Sequence, residues 1–411
     1  MQRRSRIAQV GIFYPSDPAG HVPSGIDSFI RGLFKWAPED IEYTLIGASS
    51  DLAARPLGVA CEIAPAGRGG HFVPIVPMDA TARRGGVPLT IRYMSALQAW
   101  RRSGGLASFD VLDFHRIEPI VLFRGDGRPK NVVLHTDMSI LRDPNCEIMW
   151  KHAPSVYEFV ESRLFRAVDR IFSVRQSAVE RYRKRFPELA ERFLFTNTWV
   201  DTDVFRPEHD PDARGEARLA LRAQIGAAPD ARLVTFVGRL DKSKDPLLLL
   251  AAFAELRARE PRAHLVIVGD GILRGPIEAL AASRGVTAQV SLLGARNGAF
   301  IAGLHRAADV FALSSAYEGM PIALLEALAC GLPVASTRVG EVSRVVRDGE
   351  TGFLSATRSA GDLAAALEAA LGIGGDAQRR ASVAAIDPHR PEAVLSALHD
   401  NHRRQFARLA A

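Results

Sequence analysis

The stretch VFALSSAYEGMPIALLEALACGLPVAS, Val310–Ser336, reads as strand, loop, helix and strand in turn. Val310–Leu313 is a short apolar run of strand length. A small polar loop leads to Glu318-Gly319-Met320. Pro321 suits the first position of a helix, where its missing N–H has no helical partner to lose. Gly331 and Pro333 end that helix, and Val334–Ser336 starts the next strand. Two strands joined through a helix lie parallel, because a crossover of that length returns the chain in the same direction. The helix therefore begins at the carboxyl end of a strand. Its free amides and the positive end of its dipole suit a phosphate there. Glu318 stands just before it, where a carboxylate accepts two hydroxyl hydrogen bonds. Glu326 lies five residues beyond Pro321, about 7.5 Å along the axis, within reach of a ribose whose diphosphate is held at the helix start. The plainer alternative is a Glu318 that complements the dipole and a Glu326 on a solvated face.

Outward from this unit, GRLDKSKDP, Gly238–Pro246, follows directly on the apolar run Leu233–Val237. Arg239 and Lys244 flank that strand-end turn, where two cations offset charge developing on a diphosphate leaving group. Only 6 of the 52 basic residues are lysine, yet Lys242 and Lys244 fall together here. That favours a function over an ordinary charged loop. The same alternation runs through the second half, with helices at Pro246–Arg259, Gly275–Ser283 and Phe300–Ala307 and strands at His264–Val268 and Val290–Leu293. The first half repeats it. Strands are expected at Ile7–Tyr14, Tyr43–Gly47, Val111–His115, Asn131–His135 and Arg170–Val174. Helices are expected at Gly25–Phe34, Ile91–Arg102 and Ser155–Val168. Between the halves DTDVFRPEHDPDAR, 201–214, is rich in Asp and Pro and reads as a linker. The expected division is a domain over 1–200, the linker 201–214 and a domain over 215–390. The basic helical tail, 391–411, is expected to pack back on the first domain. Two doubly wound α/β halves imply a ligand held in the cleft between them.

The 411 residues are 47% hydrophobic and 24% charged, which excludes a disordered, collagen-like or coiled-coil chain. No apolar run approaches the roughly 18 residues that span a bilayer, and Ile7–Tyr14 is too short and mixed for a signal-peptide core. Cys61, Cys146 and Cys330 are odd in number and far apart, which argues against a disulfide framework and for a reducing, cytoplasmic setting. Small core filling is their plain reading. The net charge of +6 admits a phosphorylated ligand or an anionic membrane face. Arg181, Arg183, Lys184 and Arg185 cluster beside Tyr182 and Phe186, and a helix showing these cations and aromatics suits an anionic membrane surface, with a solvated helix face as the plain alternative. No zinc-finger or RNA-binding aromatic signature accompanies them, so nucleic acid is not an expected partner.

In combination these motifs resemble a known family. VGRLDKSKD, then IVGDG at Ile267–Gly271, SLLG at Ser291–Gly294, EGMPIALLEALACGLPV and RVGEV at Arg338–Val342 occur in the order and spacing of retaining glycosyltransferase family 4, which has the GT-B fold. The resemblance spans essentially the whole chain and is most specific in the second half. It implies two Rossmann-like domains facing a central cleft, with a nucleotide sugar bound mainly by the second. By resemblance Arg239 and Lys244 hold the diphosphate, and Gly238 and Gly269 belong to the donor-binding site. Glu318 and the backbone of Gly319, Met320, Pro321 and Ile322 hold the hexose, and Glu326 binds the ribose. Gly294 and Arg296 lie near the base. Gly340 and Glu341 match a further loop, for which a turn and a surface carboxylate are the plain alternative.

The first half fits more loosely. The loop ending at Ser24-Gly25 matches a glycine-rich loop that approaches the diphosphate; Ser24 stands where the family has glycine. His135, in VVLHTD, matches the histidine that faces the transferred sugar. His115, Asp137 and Arg175 are acceptor-side candidates, His115 with the alternative of a satisfied buried histidine. Trp199 replaces a glycine before the linker, so the interdomain turn must differ. Asp201-Thr202-Asp203 imitates a metal-binding D-x-D but falls in the linker, so no metal and no cofactor is expected. The expected activity is metal-independent transfer of a hexose from a nucleotide-diphosphate sugar to a glycan or lipid-linked acceptor, of the exopolysaccharide or lipopolysaccharide type. Charge suggests the inner face of the cytoplasmic membrane. A GT-B-type sugar-nucleotide epimerase or hydrolase, and a non-catalytic nucleotide-sugar sensor, are the alternatives.

Overall fold

The structure is a computed structural model that describes residues 7–19, 25–63, 70–78, 87–135 and 154–410. It divides into two compact units, Met1–Asn197 with Pro391–Ala411, and Thr198–Arg390.

The first unit is built on strands β1 (Ala8–Phe13), β2 (Ile41–Ser49), β3 (Cys61–Ile63), β4 (Gly70–Pro77), β5 (Val111–Phe114), β6 (Lys130–Leu134), β7 (Arg170–Ser173) and β8 (Phe193–Phe195). They lie in the order β3-β4-β2-β1-β5-β6-β7-β8, and every described pair is parallel except β3 with β4. The order reverses between β1 and β5, which makes their carboxyl ends the switch point. The helices are α1 (Gly25–Lys35), α2 (Leu89–Arg102), α3 (Pro154–Phe165) and α4 (Gln176–Arg185). Phe13, Phe114, Val132 and Ile171 pack against Leu97 of α2, Phe165 of α3 and Val179 of α4.

The second unit carries β9 (Arg232–Val237), β10 (Ala263–Val268), β11 (Val290–Leu292), β12 (Val310–Leu313), β13 (Val334–Ser336) and β14 (Gly352–Leu354), in the order β11-β10-β9-β12-β13-β14, all parallel. Its helices are α5 (Pro211–Gln224), α6 (Pro246–Arg259), α7 (Arg274–Ser283), α8 (Gly298–Ala307), α9 (Ile322–Ala329), α10 (Ala360–Gly372) and α11 (Gly375–Ala385). Successive strand residues point to opposite faces. Val234, Phe236, Val310 and Ala312 accordingly pack with Leu249 and Phe253 of α6, Ile277 of α7 and Leu367 of α10. Leu233, Phe311 and Leu313 pack with Leu304 of α8, Leu324 and Leu328 of α9 and Leu221 of α5. Helices on both faces explain why the strands read as unbroken apolar runs. The chain leaves β9 in one direction through α6 and returns to β12 on its other side through α8. The loops after β9 and β12 therefore flank the switch point.

The last helix, α12 (Pro391–Ala410), belongs to the first unit. Buried polar groups fix its register there. His402 bonds the Tyr43 hydroxyl at 3.1 Å and pairs with Asp113 at 3.3 Å. Gln405 and Asn131 exchange two amide bonds, at 2.8 and 3.0 Å. In a low-dielectric interior such groups must find these partners, so one docking position is strongly preferred.

Three expectations need correction. The segment 201–214 is not a free linker. Val200 and Phe205 sit in the core of the second unit, and α5 begins inside the segment, at Pro211 after an Asp210 cap. Val200 N bonds His389 O at 2.9 Å, and His389 bonds Thr198 O at 2.7 Å, so the first and last few residues of the second unit are tied together. Pro321 is the cap residue of α9 rather than its first turn, with ψ 120°. Tyr182 and Phe186 are buried, the Tyr182 hydroxyl bonding Glu161, so α4 exposes its cations together with Ser177 and Glu180 but neither aromatic. The boundaries of α6, β12 and β13 coincide with the reading from sequence.

Candidate functional site

The loop after β9 is shaped by Asp241. Its carboxylate accepts from Ser243 N at 3.0 Å, Ser243 Oγ at 2.7 Å and Lys244 N at 3.1 Å. The turn ends at Asp245, the only described non-glycine residue at positive φ (44°), whose side chain caps α6. The loop after β12 is laced to this one by Ala316 N to Ser243 O at 2.9 Å and Ser314 Oγ to Lys244 O at 2.9 Å. Across the seam Lys244 Nζ pairs with Glu318 Oε1, which also accepts from Ser315 Oγ at 2.7 Å. Both charges are largely buried at the switch point, with side chains 23% and 11% exposed. An ammonium and a carboxylate held there present donors for phosphate oxygens and an acceptor for hydroxyls, over the first amides of α9, which have no intrahelical partner.

Arg239 lies on the same loop, but its side chain is 74% exposed and paired with Asp241 at 3.1 Å. Met320 and Pro321 are buried, and the Met320 side chain belongs to the hydrophobic core. Glu326, one turn into α9, is partly buried. Burial first, then the Asp201 carboxylate, pushes its carboxyl up to about 8. The proximity of Asp201 to Glu326 was not legible in sequence, because it depends on the packed course of 198–205.

Glycines bring the neighbouring loops close. A Cβ at Gly269, φ 140°, would strike the carbonyl oxygen of Gly238. Gly269 N in turn bonds Gly294 O at 3.0 Å. Gly340, φ 51°, abuts the carbonyls of Glu318 and Gly319, and Glu341 N bonds Gly319 O at 2.9 Å. Gly340 and Glu341 thus buttress the Glu318 loop, which a plain surface turn would not do. Gly294 has open space around it, and Arg296 is exposed, its guanidinium 5.4 Å from the Phe300 ring. Asp241, Ser243, Ser314 and Ser315 were missed from sequence; their signal was the spacing D-x-S-K and the serine pair at a strand end.

In the first unit His115 and His135 end β5 and β6. His115 Nδ1 and His135 Nε2 are 2.9 Å apart, with near-parallel rings at 5.2 Å, and Phe29 of α1 covers both. Burial pulls His115 down to about 4 and His135 well below the usual imidazole range. At neutral pH both are uncharged, one donating to the other. His115 is 2% exposed and holds His135 in place. Gly25 begins α1, and Arg175 precedes α4, partly buried. Ser24 and Asp137 lie outside the described residues, as does Cys146. Asp201-Thr202-Asp203 forms a turn, Asp201 Oδ1 accepting from Asp203 N at 3.1 Å. Among the described residues no group of three His, Cys, Asp or Glu side chains is placed to hold a metal, and no helix is long and apolar enough to cross a membrane.

Residues 218–385 match the family model described as glycosyl transferases group 1. The D-inositol 3-phosphate glycosyltransferase of Rhodococcus jostii is 37% identical over 182 residues, 43% of this chain and 40% of that protein. That of Mycobacterium tuberculosis is 36% identical over 179 residues, 41% and 34% of the two chains. The chain thus matches about two fifths or less of the length of these relatives. Among solved structures, sucrose-phosphate synthase from Thermosynechococcus elongatus superposes with a TM-score of 0.77 at 19% identity, covering 97% of this chain and 99% of that one. Anabaena HepE in complex with UDP and glucose gives 0.69 at 16%, covering 97% and 100%. The fold is GT-B, with two Rossmann-like parallel-sheet domains.

Proposed function

We propose that the protein is a retaining glycosyltransferase that moves a hexose from a nucleotide-diphosphate sugar to a glycan or lipid-linked acceptor without a metal. The carrying observation is the Lys244–Glu318 pair, which joins the two loops at the switch point of the second unit. In this reading Lys244 and Arg239 hold the diphosphate and offset its charge as the anomeric C–O bond breaks. Glu318 holds hexose hydroxyls, Glu326 the ribose, and the Gly294–Arg296 segment the base. The acceptor oxygen bonds the anomeric carbon on the face the diphosphate leaves, and the acceptor proton passes to the departing phosphate oxygen. Uncharged His135, steadied by His115, offers the sugar a hydrogen bond without a competing charge. Positioning and electrostatics supply the catalysis.

The match of 218–385 to glycosyl transferases group 1 supports the donor half of this reading. The acceptor and the membrane rest on charge. On α4 Arg183 bonds Phe193 O and Arg185 pairs with Glu158, so attraction to anionic lipid would come from a helix without exposed aromatic anchors.

Incubation with radiolabelled UDP- and GDP-hexoses and a membrane extract tests the whole. Label should pass to the extract, and Lys244→Ala should lower turnover by roughly 10²–10³, the scale of one lost transition-state partner. Epimerised or hydrolysed donor, or binding without turnover, would replace this reading with another. Transfer should also persist in excess EDTA; loss with rescue by Mn²⁺ overturns the metal-free mechanism.

A further inference from the structure

At the other end of the second unit's sheet, a cavity of about 420 Å³ opens among the amino ends of β9, β12 and β13. Arg214, Arg218, Arg232, Arg306 and Arg379 line it, against the carboxylates of Asp309 and Glu208. Asp309 is fully engaged: it accepts from Arg218 at 2.6 Å, from the buried Arg222 at 2.9 Å and from Leu233 N at 2.8 Å, and lies 3.8 Å from Arg232. The two lining carboxylates leave the five lining guanidiniums in excess. Arg379 reaches only the exposed Asp376, at 3.7 Å, and Arg214 has no carboxylate partner among the described residues. Burial, then the charges of Arg214 and Arg218, lower the proton affinity of Arg379, which is the signature of crowded cations.

Helix dipoles do not account for this. Cations are favoured at helix C-termini, as Arg306 is in the last turn of α8. Arg214 lies in the first half of α5 and Arg379 in the first half of α11, toward the positive ends. The start of α11 has no side-chain cap, and its Gly374 is part of the cavity wall. Uncapped amides and converging guanidiniums together favour a dianion such as a phosphate monoester. The cavity also exceeds what a bare phosphate occupies. Its volume lies in the range of small-molecule pockets, and Leu332, Pro333 and Ile373 give it an apolar side. The neutral imidazole of His305, without a hydrogen-bond partner on either nitrogen among the described residues, stands in the wall.

We propose that this cavity binds a phosphorylated small metabolite of sugar size, at a second site separate from the one at the carboxyl ends of the strands. β9 separates the two: Arg232 begins it and the Gly238 loop follows its end, roughly 20 Å away at about 3.3 Å per residue. The inference does not depend on the proposed transfer reaction.

Calorimetric titration of the full chain with glucose 6-phosphate at constant ionic strength tests it, with and without excess UDP. One equivalent should bind with Kd below about 1 mM, unchanged by UDP. Affinity should fall at least about tenfold in Arg214→Gln/Arg379→Gln, a loss of about 1.4 kcal/mol. Both side chains are partly exposed, so the variant should keep the parent melting midpoint in the absence of ligand. Neutral glucose should not bind. No saturable binding of glucose 6-phosphate, displacement by UDP, or equal affinity in the double variant would each overturn the proposal. A chain that fails to bind UDP speaks only against the strand-end site.

Discussion

Lys244 and Glu318 are 74 residues apart in the chain, and their pairing leaves each with capacity to spare. The ammonium has three donors and the carboxylate about four acceptor sites, so a bound diphosphate and a sugar hydroxyl extend the pair rather than break it. Glu318→Gln keeps the shape but loses the charge, and should depress kcat more than nucleotide affinity in single-turnover measurements. Glu326 gives a pH signature. Its carboxyl, held up to about 8 by burial and by Asp201, is mostly protonated at pH 7. Ribose hydroxyls donate best to the ionised form, so binding should release a proton and UDP affinity should rise between pH 7 and 9, above the titration of the terminal phosphate itself near 6. Titration calorimetry in two buffers reads the proton, and Glu326→Gln should flatten the profile. An identical rise in that variant would remove Glu326 from the ribose.

At the scale of elements, the loops after β9, β10, β12 and β13 act as one because glycines let their backbones touch. Gly269→Ala and Gly340→Ala force a Cβ into Gly238 O and into the Glu318–Gly319 carbonyls, at φ values that already disfavour a side chain. Each should destabilise by more than the roughly 1–2 kcal/mol that a left-handed residue costs alone. Gly294→Ala, with φ 69° and open space, should show only that cost. Urea unfolding of the three variants compares them; equal midpoints would mean the loops yield without strain. The strand–helix alternation was legible because helices on both faces make each strand an unbroken apolar run, as in Leu233–Val237 and His264–Val268. A three-residue strand is too short to carry a period; β11 and β13 were placed by the helices beside them, whereas β3, β8 and β14 are identified by their pairing partners alone. Tyr182 and Phe186 looked like surface aromatics beside a run of cations, but the helix turns them inward onto Phe165 and Phe193.

Across the whole molecule, buried neutral histidines set an acid limit. Burial lowers His115 and His399 to about 4, His305 to about 3 and His135 well below the usual imidazole range. The unfolded chain takes up protons near 6.5 that the folded one refuses, so their contribution is present above that pH and is lost as pH falls toward 4. Glu326 works the other way between about 4.5 and 8, one group against these four and the likewise lowered His264 and His389. The melting midpoint should therefore drop steadily from pH 7 to 4.5 in a calorimetric scan at fixed ionic strength. A flat midpoint would show the histidines to be solvated. β4, α5, α10 and α11 were not legible, whereas the strand–helix alternation of the two units, the positions of Lys244 and Glu318 at strand ends and that of Glu326 inside a helix followed from local pattern, because apolar period, proline and glycine act within a few residues. The ion pair between the β9 and β12 loops, the raised carboxyl of Glu326, the stacked histidines and the docking of α12 through His402 and Gln405 did not. Each joins residues distant in the chain, and each depends on burial, which belongs to the packed molecule: the same carboxylate or imidazole titrates normally in water and is displaced only when folding removes the water around it.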